Sequence, residues 1–396
     1  MRRPLRVAMI IQAYLPRLGG AERQLAALLP LLRKQEVAVT VITRRYAGLS
    51  AFETVDGVSV YRLPIPGPKA VASLSFTLSA LPLLRRLRPD VIHAHELLSP
   101  TTTAVVAKQW LNIPVVAKVL RGGVLGDLAK LAQKPLGQRR MRNFKRLVDS
   151  FIVISQEIDE ELANWEVPAE KRFFIPNGVD TRRFAPVAAA EKMQLRRQLG
   201  LDGGQTAVYT GRLVAEKRVD ALIALWPQVR ESVANAQLLL LGTGPEAARL
   251  RQQAGAGIHF LGQVEEVAPY LQTADLFVLP SATEGLSNAM LEGLAVGLPV
   301  IATDVGGAPD VITDQKNGWL IPAQTHFRRE LLAAILTLFT QPDLRQEMGL
   351  AGRQKVMAEY GLKATADKLV NLYDRMVNPY PQGAALVEPQ RATRRL

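Results

Sequence analysis

The stretch Asp275-Leu276-Phe277-Val278-Leu279-Pro280-Ser281-Ala282-Thr283-Glu284-Gly285-Leu286-Ser287-Asn288-Ala289-Met290-Leu291-Glu292-Gly293 runs from an apolar strand through a short loop into a helix. Glu284 lies in the loop, and Gly285 beside it lets backbone come close to a ligand. The helix start that follows offers unpaired N–H groups and a positive dipole end, which suit a phosphate or a hydroxyl. Glu292 stands just over two helical turns beyond Glu284, so both carboxylates can face one cleft. They can bracket a sugar nucleotide, one at the sugar and the other at the ribose diol. Taken alone, the same spacing suits a helix cap and a surface residue equally well.

Outward from this stretch, the strand–loop–helix rhythm repeats. Arg6–Ile11, Val37–Thr43, Val58–Leu63, Asp90–Ala94, Pro114–Val119 and Ser150–Ile154 are Val- and Ile-rich runs, separated by helical patterns such as Ala21–Lys34, Thr101–Trp110 and Gly126–Val148. After the turn-rich Ile175-Pro176-Asn177-Gly178 the rhythm restarts with Thr206–Thr210, Gln237–Leu241, Asp275–Leu279, Pro299–Thr303 and Trp319–Ile321. Continuous apolar strands alternating with helices imply parallel sheets covered on both faces. The expectation is an α/β protein of two doubly wound, Rossmann-like domains, at 1–178 and 179–355, with the site in the cleft between them. A final helical piece is expected at 356–378 and a flexible tail at 379–396, where prolines replace apolar periodicity.

The 396 residues, 48% of them hydrophobic, suffice for two cores. No cysteine is present, which excludes disulfides, thiolate metal sites and cysteine nucleophiles and fits a reducing cytoplasm. The longest apolar stretch, Ala70–Leu84, is interrupted by Pro82 and three serines and falls short of the roughly 20 residues of a membrane span. The expectation is a soluble chain. Net charge is +13, very unevenly placed: residues 1–178 carry 26 Lys and Arg against 14 Asp and Glu, and residues 179–396 carry 23 against 22. A one-sided cationic field points to an anionic partner on the first half.

Further motifs fall where strands end. Tyr209-Thr210-Gly211-Arg212 and Lys217 place a glycine turn and two cations after the first strand of the second half; a guanidinium and an ammonium there can hold a diphosphate as negative charge develops on it. Leu18-Gly19-Gly20 after the first strand allows close backbone approach, and Asp304-Val305-Gly306-Gly307 offers a similar turn after Pro299–Thr303. His93-Ala94-His95 ends a strand with both imidazoles on one face, His95 nearer the cleft. The chain has no Gly-x-Ser-x-Gly, no Walker-type loop and no Gly-x-Gly-x-x-Gly after its first strand, which removes hydrolase and P-loop readings and disfavours a dinucleotide-dependent dehydrogenase.

In their order and spacing, Gly19-Gly20, Gly211-Arg212 with Lys217, Leu241-Gly242-Thr243-Gly244-Pro245, Phe260-Leu261-Gly262, the Glu284/Glu292 pair and Ala302-Thr303-Asp304-Val305-Gly306-Gly307 resemble a retaining glycosyltransferase of family 4 with the GT-B architecture. The resemblance covers the chain to about Val377. It implies transfer of a sugar from a nucleotide diphosphate, UDP rather than GDP, to an acceptor hydroxyl with retention. It further implies that Glu284 holds the donor sugar, Glu292 the ribose, and Arg212 and Lys217 the diphosphate. Backbone at Gly285, Leu286, Ser287 and Asn288 would touch sugar or phosphate, Gly19, Gly20 and Gly211 would line the donor site, and the region after Gly262 would frame the base. No metal is implied, since the cationic pair replaces it, and no other cofactor. Many family members carry a histidine just after the strand matching Val115–Val119; here Arg121 stands on that ground, and either Arg121 or His95 takes its place.

Lys130–Arg146 carries seven cations and no acid, and Ala70–Leu84 runs into Arg85-Arg86-Leu87-Arg88. In an acceptor-binding domain these suit docking on an anionic leaflet, at the cytoplasmic membrane face, with a lipid, lipid-linked or polysaccharide acceptor. A nucleic-acid binder would need aromatics among these cations, and only Phe144 is there. A sugar-nucleotide epimerase would keep the fold without needing a membrane-facing surface.

Overall fold

The computed structural model describes residues 3–378 apart from positions 18, 135 and 202. The tail expected at 379–396 lies outside the described residues. Strands β1 (Leu5–Ile10), β2 (Val37–Arg44), β3 (Phe52–Val55), β4 (Val58–Leu63), β5 (Val91–His95), β6 (Val115–Lys118), β7 (Ser150–Val153) and β8 (Arg172–Phe174) form one sheet in the order β3-β4-β2-β1-β5-β6-β7-β8. Strands β9 (Thr206–Thr210), β10 (Gln237–Leu241), β11 (Ile258–Gly262), β12 (Leu276–Leu279), β13 (Val300–Thr303) and β14 (Trp319–Ile321) form a second, in the order β11-β10-β9-β12-β13-β14. Every pairing is parallel except β3 with β4. The central strands β5, β6, β9, β12 and β13 are buried throughout, as strands covered on both faces must be.

The sequence reading missed β3, β8 and β11. All three are edge strands with no fully buried residue, so none shows a continuous apolar run. The helix expected over Gly126–Val148 is two helices, Asp127–Ala132 and Gly137–Leu147. The chain doubles back so tightly that a Cβ on Gly137 would lie 2.2 Å from the Leu131 carbonyl oxygen. Ala70–Leu84 lies within a helix, Lys69–Leu87, that keeps Pro82 inside it. Among the described residues no helix is long and apolar enough to cross a membrane.

Both sheets reverse their winding at an inner strand. After β1 the chain goes to β2 on one side and returns to β5 on the other; after β9 it goes to β10 and returns to β12. Such switch points open a crevice at the carboxyl ends of the strands. The Gly19-Gly20 turn follows β1, and Gly211 with its two cations follows β9. The chain crosses between the sheets twice, and the crossings are hydrogen-bonded: Val179 N donates to Tyr360 O at 2.9 Å and Leu362 N to Val179 O at 3.0 Å. A Cβ on Gly178 would meet Thr365 Oγ1 at 2.6 Å and Leu362 Cα at 2.7 Å, so only glycine lets the two crossings touch. The helix Pro342–Glu359 packs on the second sheet's helix Asn288–Val296, and the last helix, Leu362–Val377, returns to the first sheet. There Gln35 Nε2 donates to Asp367 Oδ1 at 2.7 Å, and Tyr373 Oη lies 2.6 Å from His93 Nδ1.

Candidate functional site

A cleft of about 710 Å3 lies between the two sets of strand ends. On the second-domain side, the loop after β12 presents Glu284, which is 8% exposed. Ser281 Oγ donates to Glu284 Oε1 at 2.8 Å, and the Lys217 ammonium pairs with the same oxygen. The loop therefore carries its carboxylate preset, with a cation beside it. Gly306-Gly307 does not line the cleft; it props this loop from behind. Gly307 N donates to Gly285 O at 2.7 Å, and a Cβ on Gly306 would lie 2.6 Å from the Glu284 and Gly285 oxygens. The following helix is capped by Ser287, whose Oγ accepts from Met290 N at 3.3 Å. One turn further on, Glu292 faces the cleft, and burial pushes its carboxyl up to about 7 against the pull of Arg23 and Arg183.

Gly211 and Arg212 line the same cleft, and the Arg212 side chain is 64% exposed to it and to solvent. Glu216 sits between two guanidiniums, Arg212 at 3.9 Å and Arg121 of the first domain at 3.7 Å. Arg121 thus reaches across to the cation group of the second domain. Gly262 lies behind the wall, where its carbonyl accepts from Gly242 N at 2.7 Å; Gln263 and Val264, just beyond it, line the cleft.

The first-domain wall is made by the ends of β1, β5 and β6. Gly19 and Gly20 lie at the start of the helix Gly20–Lys34; Gly19 N donates to Glu22 Oε2 at 2.9 Å, and Gly20 O accepts from Asn288 Nδ2 at 2.8 Å across the cleft. A second bridge runs from Lys118 Nζ to Asn177 Oδ1 at 2.9 Å and from Asn177 Nδ2 to Leu286 O at 3.0 Å. A third is backbone packing: a Cβ on Gly285 would lie 2.1 Å from Leu120 O. His93 and His95 stack at 4.4 Å, as strand alternation requires. Burial, with Lys118 nearby, pulls His95 down to about 3, so it is neutral at ordinary pH. Its Nε2 is buried and has no hydrogen-bond partner among the described residues. Burial likewise brings Lys118 down to about 8.

A family model described as Glycosyltransferase Family 4 matches residues 18–183, and one described as Glycosyl transferases group 1 matches residues 204–341. The chain is 31% identical over 384 residues to a GDP-mannose-dependent alpha-mannosyltransferase of Mycobacterium tuberculosis, covering 93% of this chain and 96% of that one. It belongs to glycosyltransferase family 4. A second relative from the same organism is a GDP-mannose-dependent alpha-(1-6)-phosphatidylinositol monomannoside mannosyltransferase, 28% identical over 400 residues and covering 92% of this chain and 97% of that one. The fold is also that of sucrose-phosphate synthase from Thermosynechococcus elongatus, at a TM-score of 0.80, 22% identity, and 94% and 99% coverage.

This family 4 glycosyltransferase therefore has the GT-B architecture, with its cleft built at two switch points. The structure gathers at that cleft Glu284, Glu292, Arg212, Lys217, His95, Arg121, the glycines 19, 20, 211 and 285, and Leu286, Ser287 and Asn288. Sequence reasoning missed Lys118, Asn177, Glu216 and Glu22, which also line it. Lys118 is the end of an otherwise apolar strand, Val115–Lys118, and a lysine at that position was the available signal.

Proposed function

We propose that the protein moves mannose from GDP-mannose to a hydroxyl of a glycolipid or lipid-linked acceptor, with retention, at the cytoplasmic membrane face. The observation that carries this reading is the preset Lys217–Glu284–Ser281 group at the carboxyl end of β12, facing Arg212 and Arg121. Both mycobacterial relatives are GDP-mannose-dependent, which favours GDP-mannose and replaces the preference for UDP drawn from the sequence.

In this reading Lys217 and Arg212 hold the diphosphate and Glu284 accepts from the mannose hydroxyls. Glu292 accepts from the ribose diol, and the backbone of Gly285–Ser287 meets sugar and phosphate. The acceptor oxygen attacks the anomeric carbon on the face the phosphate leaves, the carbon–phosphate-oxygen bond breaks, and a phosphate oxygen takes the acceptor's proton. The cations stabilise the charge that develops on that phosphate, so no resident metal is required. Neutral His95 gives its unpartnered Nε2 to a hydroxyl near the reacting carbon rather than acting as a base.

The membrane side of the proposal rests on three neighbouring helices of the first domain. Lys69–Leu87 exposes Val71, Leu74 and Leu78 along one stripe and packs beside Ser99–Leu111, which exposes Trp110. On the other flank of that helix, Gly137–Leu147 groups Arg139, Arg142 and Arg146 around a shallow pocket. Apolar stripe, tryptophan and cations on adjoining helices suit an anionic leaflet. Phe144, the only aromatic of the basic segment, is 1% exposed and offers no face for a stacked base, which disfavours a nucleic-acid partner.

Thermal stabilisation by GDP, GDP-mannose, UDP and UDP-glucose tests the donor. At a hundredfold excess over Kd, binding adds about 2.7 kcal/mol, a readily measured shift. Stabilisation by the guanosine nucleotides alone, lost in Lys217→Ala, is the expected result; no stabilisation by any nucleotide overturns the proposal.

A further inference from the structure

Glu96 lines the cleft directly after β5 and has no part in the donor chemistry above. Its backbone sits at φ 81°, the left-handed region that favours glycine and that non-glycine residues hold only when the surroundings impose it. Those surroundings are visible. Glu96 N donates to Lys118 O at 2.9 Å, and Glu96 O accepts from Thr101 Oγ1 at 2.7 Å, so both peptide groups beside the strained residue are fixed. The conformation aims a carboxyl into the cleft from the first-domain wall. Gln12 Nε2 donates to Oε2, while Oε1 accepts no hydrogen bond among the described residues. Asp127 lies nearby on the helix Asp127–Ala132, Lys130 one turn further along it, and Arg44 at the end of β2. Burial and Asp127 raise the Glu96 carboxyl to about 7, while Gln12, Lys130 and Arg44 pull the other way.

We propose that Glu96, held by Gln12, is the acceptor-reading carboxylate of the first domain, whose unoccupied oxygen accepts from a ring hydroxyl of a polyol acceptor. This rests on the transferase reading. A half-buried carboxylate with one oxygen taken by a neutral amide and the other turned to the cleft is matched by an O–H donor. A phosphate would be repelled by it and would sit instead against Lys130 or Arg121. Left-handed geometry is kept at this position because it points the carboxyl at the site, even though glycine would adopt it without strain.

The test uses the full chain saturated with GDP, with methyl α-mannoside and myo-inositol as polyol probes, read by thermal shift. One of the two should stabilise the wild-type protein beyond GDP alone. In Glu96→Gln and Glu96→Gly the apparent affinity for that probe should fall at least tenfold, while the shift given by GDP stays unchanged. Glu96→Gly should also match or exceed the wild-type Tm, since it relieves the left-handed conformation. Failure of both probes to stabilise the wild type, or equal affinity in the variants, overturns the proposal. A Tm loss in Glu96→Gly with probe binding intact would assign Glu96 a structural role instead. The GDP arm is independent: if GDP itself gives no shift, the donor reading fails, and the probes alone still report on Glu96.

Discussion

Lys217 and Glu284 are each about nine-tenths removed from solvent, so either becomes an uncompensated charge if the other is cut away. Lys217→Ala should therefore lower Tm, and it should cut kcat about 10²–10³-fold, the usual cost of removing one charge-stabilising group. Steady-state kinetics checks the second effect, and a variant with unchanged kcat would remove Lys217 from the diphosphate site. Glu292 gives a pH signature. Its carboxyl rises from 4.5 to about 7 on folding, so the folded chain binds the proton more tightly. The resulting stability is full below the unfolded pKa and is lost as pH rises through about 7. Glu292→Gln should flatten part of the fall in Tm between about pH 5 and 8. Ribose contact should follow the opposite course, since a carboxylate accepts more strongly than a carboxylic acid. The stabilisation by GDP should grow across the same range in the wild type and not in Glu292→Gln. That Glu284, Glu292, Arg212 and Lys217 line the cleft was legible because they lie within single strand–loop–helix units. Lys118 and Asn177 were not, because their meaning comes from a hydrogen-bond chain ending on Leu286, 109 residues beyond Asn177.

At the scale of elements, the paired crossings are the most demanding feature. A Cβ at Gly178 would meet Leu362 Cα and Thr365 Oγ1 at under 3 Å, and neither can move without shifting the last helix. Gly178→Ala should destabilise by about 1–3 kcal/mol, the range for overpacking a tight contact. Chemical denaturation measures this, and an unchanged midpoint would show that the crossings have slack. The inner strands were readable as apolar runs. The edge strands β3, β8 and β11 and the turn between Asp127–Ala132 and Gly137–Leu147 were not. An edge strand buries one side only, and the turn is fixed by contact between two helices rather than by periodicity.

For the whole molecule, the division of labour follows the charge. The second domain, nearly neutral, carries the preset Lys217–Glu284–Ser281 group; the first carries the net positive charge and an exposed apolar stripe. The chain should sediment with vesicles rich in anionic lipid and not with neutral ones, and Leu74→Asp with Leu78→Asp should weaken that without affecting the GDP-induced shift. Equal, negligible sedimentation with both vesicle types would remove the membrane from the proposal. The two domains were legible as a repeated rhythm, but the three bridges across the cleft, through Asn288, Asn177 and Gly285, arise only when both sheets are in place. The most direct measurement is transfer of radiolabelled mannose from GDP-mannose into lipid extract by the purified protein, with UDP-glucose as the parallel donor. Label should enter an organic-soluble product in the α configuration from GDP-mannose only, and Lys217→Ala should slow it by about 10²–10³-fold. Label transferred from UDP-glucose alone, or a β-linked product, would contradict the reading of the cleft as a retaining mannosyl-transfer site.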